Sequence, residues 1–192
     1  MDTTSDDDAI GTYEYIRYED PAAAFRPYDP RCPAVARRVI ALIRGRMPEA
    51  RVEHVGSTAI PGCDGKGVVD LMLVYPPGRL SEARDALDGL GFQRQRERPW
   101  SFTEERPVRI GTIEHDGETF RLHVHVIAAD APEAADQIGF RDRLRADPAL
   151  VAEYVARKRA VLTGGVRDAN EYNQGKEVFI QRVLGDSADR IA

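Results

Sequence analysis

The segment Val68-Val69-Asp70-Leu71-Met72-Leu73-Val74 constrains this chain more than any other. A near-continuous apolar run of that length reads as a strand buried on both sides, and Pro76, Pro77 and Gly78 end it. One carboxylate, Asp70, interrupts the run. Side chains on a strand alternate between faces, so Asp70 and Met72 must point the same way.

The neighbouring segments supply the other elements. Residues 33–47 place Val35, Val39, Leu42 and Ile43 on one helical face with arginines opposite, and Pro33 suits a first helical position. Arg51 to Val55 reads as a short strand, and residues 80–90 as a short helix. Asp116-Gly117 between two strand-like runs predicts a hairpin. In Arg121–Ile127 the alternation is clean: Leu122, Val124 and Val126 on one face, Arg121, His123 and His125 on the other. The last sixty residues predict three helices: one over about 133–146, one opening at Asp147-Pro148, and one at Asp168 with Glu171 three residues on. This order is an α+β plan, a mixed β-sheet with flanking helices and a C-terminal helical layer. Residues 1–9 read as a disordered acidic tail and 10–192 as a single domain.

Composition excludes some functions. The net charge of −5 over 192 residues argues against bulk nucleic-acid binding, which is driven by release of counterions from phosphates. No apolar stretch approaches the ~20 residues that span a bilayer. The acidic start (Asp2, Asp6, Asp7, Asp8) is the reverse of a basic leader. Two cysteines, Cys32 and Cys63, lack any CxxC spacing, so free thiols and a cytoplasmic location are expected.

Chemistry concentrates in Glu53-His54-Val55-Gly56-Ser57-Thr58-Ala59-Ile60-Pro61-Gly62, with Lys66 in the loop beyond. A Gly-Ser-Thr turn after a strand can cradle phosphate oxygens, or can merely cap its own backbone. Thirteen residues after Ser57, Asp70 on the next strand can hold a metal that neutralises those phosphates.

The stretch HVGSTAIPG, then Lys66 and Asp70, resembles the signature of the GrpB family (UPF0157), bacterial proteins of the nucleotidyltransferase superfamily. Phe140-Arg141-Asp142-Arg143-Leu144-Arg145, Tyr154, Lys158, Tyr172, Lys176, Phe179 and Ile180 resemble it too. The resemblance implies a nucleotidyltransferase-like sheet with its site at Gly56-Ser57, and it leaves the reaction undefined. Active enzymes of that fold place a second carboxylate two residues after the first and a third on a neighbouring strand. Here the second position is Met72, whose thioether cannot hold Mg²⁺. The third falls on the 121–127 strand, whose polar face shows His123 and His125.

Asp70, His123 and His125 would suit Zn²⁺, Mn²⁺ or Fe²⁺ better than Mg²⁺. Alternatively, the histidines hydrogen-bond phosphate, Asp70 or backbone without a metal. His54 reads as a brace for the turn, and His115 as exposed and inert. Lys158 and Lys176 each fall inside an apolar helical stripe, Val151-Tyr154-Val155-Leu162 and Tyr172-Phe179-Val183. A lysine there must find water or an anion, by snorkelling at the stripe's edge or by facing a shared anionic site. Gly56, Ser57, Thr58, Lys66, Arg141, Lys158 and Lys176 are therefore the candidate phosphate binders, with Arg145 a possible addition to the rim; Asp70 is the candidate catalytic residue. Trp100 and Phe102 beside Arg94–Arg98 read as strand cover before base-stacking, and Cys63 as a plain loop thiol.

Three functions remain open: transfer of a nucleotidyl group from an NTP to a small acceptor, non-catalytic binding of a nucleotide or phosphorylated ligand, and a different metal-dependent reaction at Asp70, His123 and His125. The partner under all three is an anionic small molecule.

Overall fold

In the computed structural model, the strand carrying Asp70 lies inside a five-stranded mixed sheet. The structure describes residues 9–12, 25–94, 107–165 and 169–185. The segment 1–8 of the expected tail, Asp168 at the third C-terminal helix, and the Trp100/Phe102 stretch lie outside the described residues.

The first helix, α1 (Cys32–Arg46), leads into β1 (Arg51–Val55), a 3-10 turn (Ser57–Ala59) and β2 (Val68–Tyr75). Helix α2 (Leu80–Asp88) follows, then β3 (Gln93–Arg94), β4 (Val108–His115) and β5 (Glu118–Ala128). Three helices close the chain: α3 (Pro132–Ala146), α4 (Pro148–Thr163) and α5 (Ala169–Gly185). The sheet order is β1-β2-β5-β4-β3, with β2 and β5 parallel and every other pair antiparallel. Asp116 and Gly117 both have positive φ, 50° and 73°, which matches the twist of the flanking strands and makes the expected hairpin between β4 and β5.

The period-2 pattern sorts the sheet's faces. Val69, Leu71 and Leu73 of β2 and Leu122, Val124 and Val126 of β5 pack with Val35, Val39 and Ile43 of α1 and Ala83 and Leu87 of α2. Burying each such side chain contributes about 1.5–3 kcal/mol, so this layer anchors the strands. Arg109 on β4 is buried on this side and pairs with Asp88 at the end of α2, Nε to Oδ1 at 2.5 Å.

The opposite face carries Asp70, Met72, His123 and His125 and is covered by the C-terminal helices. These have a core of their own, in which Ile60, Leu144, Val151, Tyr154, Phe179 and Val183 meet. Phe140 meets Tyr154 edge-on at 5.2 Å, and Tyr154 stacks on Phe179 at 5.1 Å. The Asp147 carboxylate accepts from the Ala149 and Leu150 amides at 2.8 and 3.3 Å, as expected of a cap at the start of α4.

Candidate functional site

Because β1 and β2 are antiparallel with Val55 opposite Asp70, the turn that leaves β1 emerges directly over Asp70. Gly56 makes this approach. Its φ of 69° and ψ of −172° lie in a region only glycine occupies readily, and a Cβ there would stand 2.5 Å from Asp70 Oδ2.

Behind the turn, Thr58 is buried and its hydroxyl donates to the Val68 carbonyl at 3.0 Å. With its hydrogen spent there, Thr58 accepts from His54 Nε2 at 3.1 Å. Burial pushes the His54 pKa down to about 4, so the ring is neutral near pH 7. His54 and Thr58 thus brace the turn, and Ser57 is the hydroxyl left facing the cleft.

The parallel register sets Asp70 beside His123 and Met72 beside His125. Asp70 Oδ1 is 3.6 Å from His123 Nδ1 and 3.7 Å from His125 Nε2, and one ligand atom from each of the three residues lies within 4.8 Å of the others. Burial works to raise the Asp70 pKa, but His125, His123 and Lys66 outweigh it and hold the carboxyl below its usual range. Separations of this size suit donors that share one ion at ~2.0–2.2 Å. The donor set, two imidazoles and one carboxylate, fits Zn²⁺ or Mn²⁺ better than the all-oxygen set Mg²⁺ prefers. Met72 shares Asp70's face, as expected, but its side chain packs with Val55, Val74 and Ile127. It fills an apolar patch beside the cleft, so the carboxylate pair of a two-magnesium site is not assembled here.

Facing this cluster is a cavity of about 300 Å³ between the sheet and helices α3, α4 and α5. Its walls hold Lys66, Lys158 and Lys176, so the two helix lysines share one cleft with Ser57 and Asp70. Lys176 Nζ and Lys66 Nζ lie 4.3 and 5.4 Å from the centre of the Tyr172 ring. Burial first, then repulsion from Lys66 and Lys158, pushes the Lys176 pKa down to about 7. Lys158 is almost fully buried; it donates to the Asp64 carbonyl and to Cys63 Sγ at 3.3 Å, and lies 4.6 Å from the Tyr154 ring centre. Its pKa is also lowered, chiefly by burial. Lys158 therefore ties the 63–65 loop to α4 as well as lining the cleft. Cys63 is buried, and burial pushes its thiol up.

Arg141 goes elsewhere. Its guanidinium bonds Glu53 at 3.0 Å, Asp142 at 2.8 Å and the His54 carbonyl at 2.9 Å. Arg145 donates to the Ala59 carbonyl at 2.8 Å. Neither lines the cavity. Thr58, likewise expected to touch phosphate, is turned inward. Sequence reasoning missed Asp136, Gln137 and Asn173, which do line it. Polar residues on a helix carry no signal that separates a cleft wall from a solvated face.

Residues 23–186 match the GrpB protein family. This chain belongs to the GrpB family. A UPF0157 protein of Pseudomonas aeruginosa is 35% identical over 140 residues, which is 72% of this chain and 56% of that protein. A UPF0157 protein of Vibrio cholerae is 31% identical over 160 residues, 83% of this chain and 79% of that one. This GrpB-family chain thus spans little more than half of the Pseudomonas relative. The crystal structure of the conserved protein GrpB from Enterococcus faecalis has the same fold: TM-score 0.65, 19% identity, covering 87% of this chain and 98% of that one. Among the described residues, no helix is long and apolar enough to cross a membrane.

Proposed function

We propose that this chain binds a nucleotide or a similarly phosphorylated small molecule in the cleft, with a divalent ion at Asp70, His123 and His125, and transfers a nucleotidyl group to a small acceptor. One observation carries this: a carboxylate–imidazole cluster faces three lysines across a single cavity. A cleft that collects ammonium groups at the cost of burying them favours an anion with several charges. In this reading Lys66 and Lys176 neutralise phosphate oxygens and Ser57 donates its hydroxyl hydrogen to another. Catalysis is then mainly positioning and electrostatic stabilisation. A bound ion would polarise a phosphoryl oxygen.

The packing of Met72 favours a second reading of the ion: a softer metal than Mg²⁺, in a single-metal reaction at Asp70, His123 and His125. Both are tested by metal analysis of the purified protein, followed by calorimetry with NTPs in Mn²⁺, Zn²⁺ or Mg²⁺. The expected result is one ion per chain, nucleotide binding that needs it, and loss of both in Asp70→Asn. Metal binding that survives Asp70→Asn would place the ion elsewhere, and nucleotide binding without any metal would leave a binding module in place of an enzyme.

A further inference from the structure

The cleft has two unlike ends, and α5 measures the distance between them. Tyr172, Lys176, Ile180 and Leu184 recur every four residues on its cleft side and span about 18 Å at 1.5 Å per residue. At one end, Lys66 and Lys176 share the Tyr172 ring, so positive charge gathers there. The other end lies against α3: a Cβ on Gly139 would meet Leu184 Cδ2 at 4.0 Å, and Arg143 donates to the Val183 carbonyl. There the walls are the apolar Phe140, Ile180 and Leu184, with Asp136 and Gln137 from the first turns of α3.

Asp136, exposed at the rim of the cavity, and the half-buried Gln137 line it, and neither side chain makes a hydrogen bond or ion pair among the described residues. Other acids on these helices are engaged: Asp142 with Arg141, Glu153 with Arg182. A carboxylate only accepts hydrogen bonds, and it repels phosphate. Its place beside an apolar wall, away from the lysines, therefore orients a two-ended ligand: phosphates toward Lys66 and Lys176, an uncharged donor-bearing group toward Asp136.

We propose that the ligand is a nucleotide whose base carries an exocyclic amine, with its flat body between Phe140, Ile180 and Leu184 and its amino group donating to Asp136. This deepens, and rests on, the nucleotide reading above. Uracil carries a carbonyl where cytosine carries its amine, so at that position it meets the Asp136 carboxylate with an acceptor in place of a donor. Gln137, with both a donor and an acceptor, satisfies either kind of base and adds no such discrimination.

The test is calorimetric titration of the full chain with ATP, GTP, CTP, UTP and inorganic tripolyphosphate, in the metal that the protein retains. We expect at least one amino-bearing nucleotide to bind about tenfold or more tighter than UTP, since a site built to pair a polar group rejects a partner lacking it. Asp136→Asn, which can donate as well as accept, should bring that ratio to within about threefold while tripolyphosphate affinity holds. Tripolyphosphate binding together with equal affinity for all four nucleotides overturns this inference and leaves the nucleotide reading standing. Preserved discrimination in Asp136→Asn overturns the role of Asp136. No binding of tripolyphosphate or of any nucleotide overturns both readings.

Discussion

Replacing Lys176 with Met isolates the cost of holding an ammonium group in the cleft. Methionine keeps an unbranched stem of similar reach, so packing beside Tyr172 is preserved while the charge is removed. Burial and the two neighbouring lysines lower the Lys176 pKa from 10.5 to about 7. At about 1.4 kcal/mol for each pH unit, that corresponds to an upper limit of about 5 kcal/mol disfavouring the charged form in the native state. Water at the open side of the cleft trims it, and about 2–4 kcal/mol is the expected range.

The sign follows from proton binding. Between pH 7 and 10.5 the unfolded chain holds the proton that the native chain has lost, so native stability rises with pH across that window. Below pH 7 both states are protonated and the wild type carries the full penalty; above 10.5 both are neutral and the penalty is gone. Urea denaturation of wild type and Lys176→Met at pH 6.5, 7.5, 8.5 and 9.5 reads the difference directly. Titration of Cys63, Tyr154 and Lys158 is common to both proteins and largely cancels. The variant should be more stable by about 2–4 kcal/mol at pH 6.5, with the gap closing by up to about 1 kcal/mol per pH unit toward 9.5. A gap that does not change with pH would mean that Lys176 stays charged and solvated throughout, and the convergence of the three lysines would lose its energetic signature. The same variant should bind tripolyphosphate more weakly by about 1.5–3 kcal/mol, the scale of a charge-assisted hydrogen bond.

Three further substitutions separate framework from site. Gly56→Ala forces a Cβ toward Asp70 Oδ2 at a backbone conformation alanine resists, so denaturant titration should show a loss of about 2–4 kcal/mol together with weakened metal binding. Arg141→Met removes the Arg141 donors from the His54 carbonyl and from Glu53, which keeps only Arg51, and should cost about 1–3 kcal/mol of stability, while calorimetry of the folded variant shows unchanged anion affinity. Met72→Asp puts a carboxylate into the apolar patch of Val55, Val74 and Ile127; melting in EDTA should show a loss of about 3 kcal/mol or more, with Mg²⁺ restoring little of it.

Much of this arrangement was legible because two periodicities do most of the sorting. Alternation along a strand put Asp70 and Met72 on one face and His123 and His125 on another shared face, and two buried strands adjacent in one sheet bring such faces together. The four-residue step of a helix put Lys158 and Lys176 in apolar stripes, and an ammonium group in such a stripe needs an outlet. Periodicity tells which face a side chain occupies and leaves open its position along that face. Met72 therefore reads as a site position from the strand alone, and only the packing of α3 shows that it fills an apolar patch. Arg141 is misjudged for the same reason: its turn of helix passes over β1, where Glu53 and a backbone carbonyl claim it, instead of over the cleft. Asp136 and Gln137 leave no trace, because a polar residue on a solvated helix face and one on a cleft wall differ only in what lies opposite.

The charges on the two walls also explain why a stable fold would keep so unfavourable a cluster. With His54 neutral and Asp70 ionised, the lysines exceed the carboxylates near the cluster; burial first, with repulsion between the lysines adding to it, lowers the Lys176 and Lys158 pKa values. An anion entering the basic end reverses that response: it restores the proton to Lys176 and gains an ammonium partner in a poorly hydrated site, where the attraction is stronger than in water. Ligand binding near pH 7.5 should therefore take up a proton, and calorimetry in two buffers of different ionisation enthalpy would show it as a difference in apparent heat. The uptake should vanish in Lys176→Met. If it persists undiminished there, the proton goes to another group, and Lys158, whose pKa burial also lowers, is the next to replace.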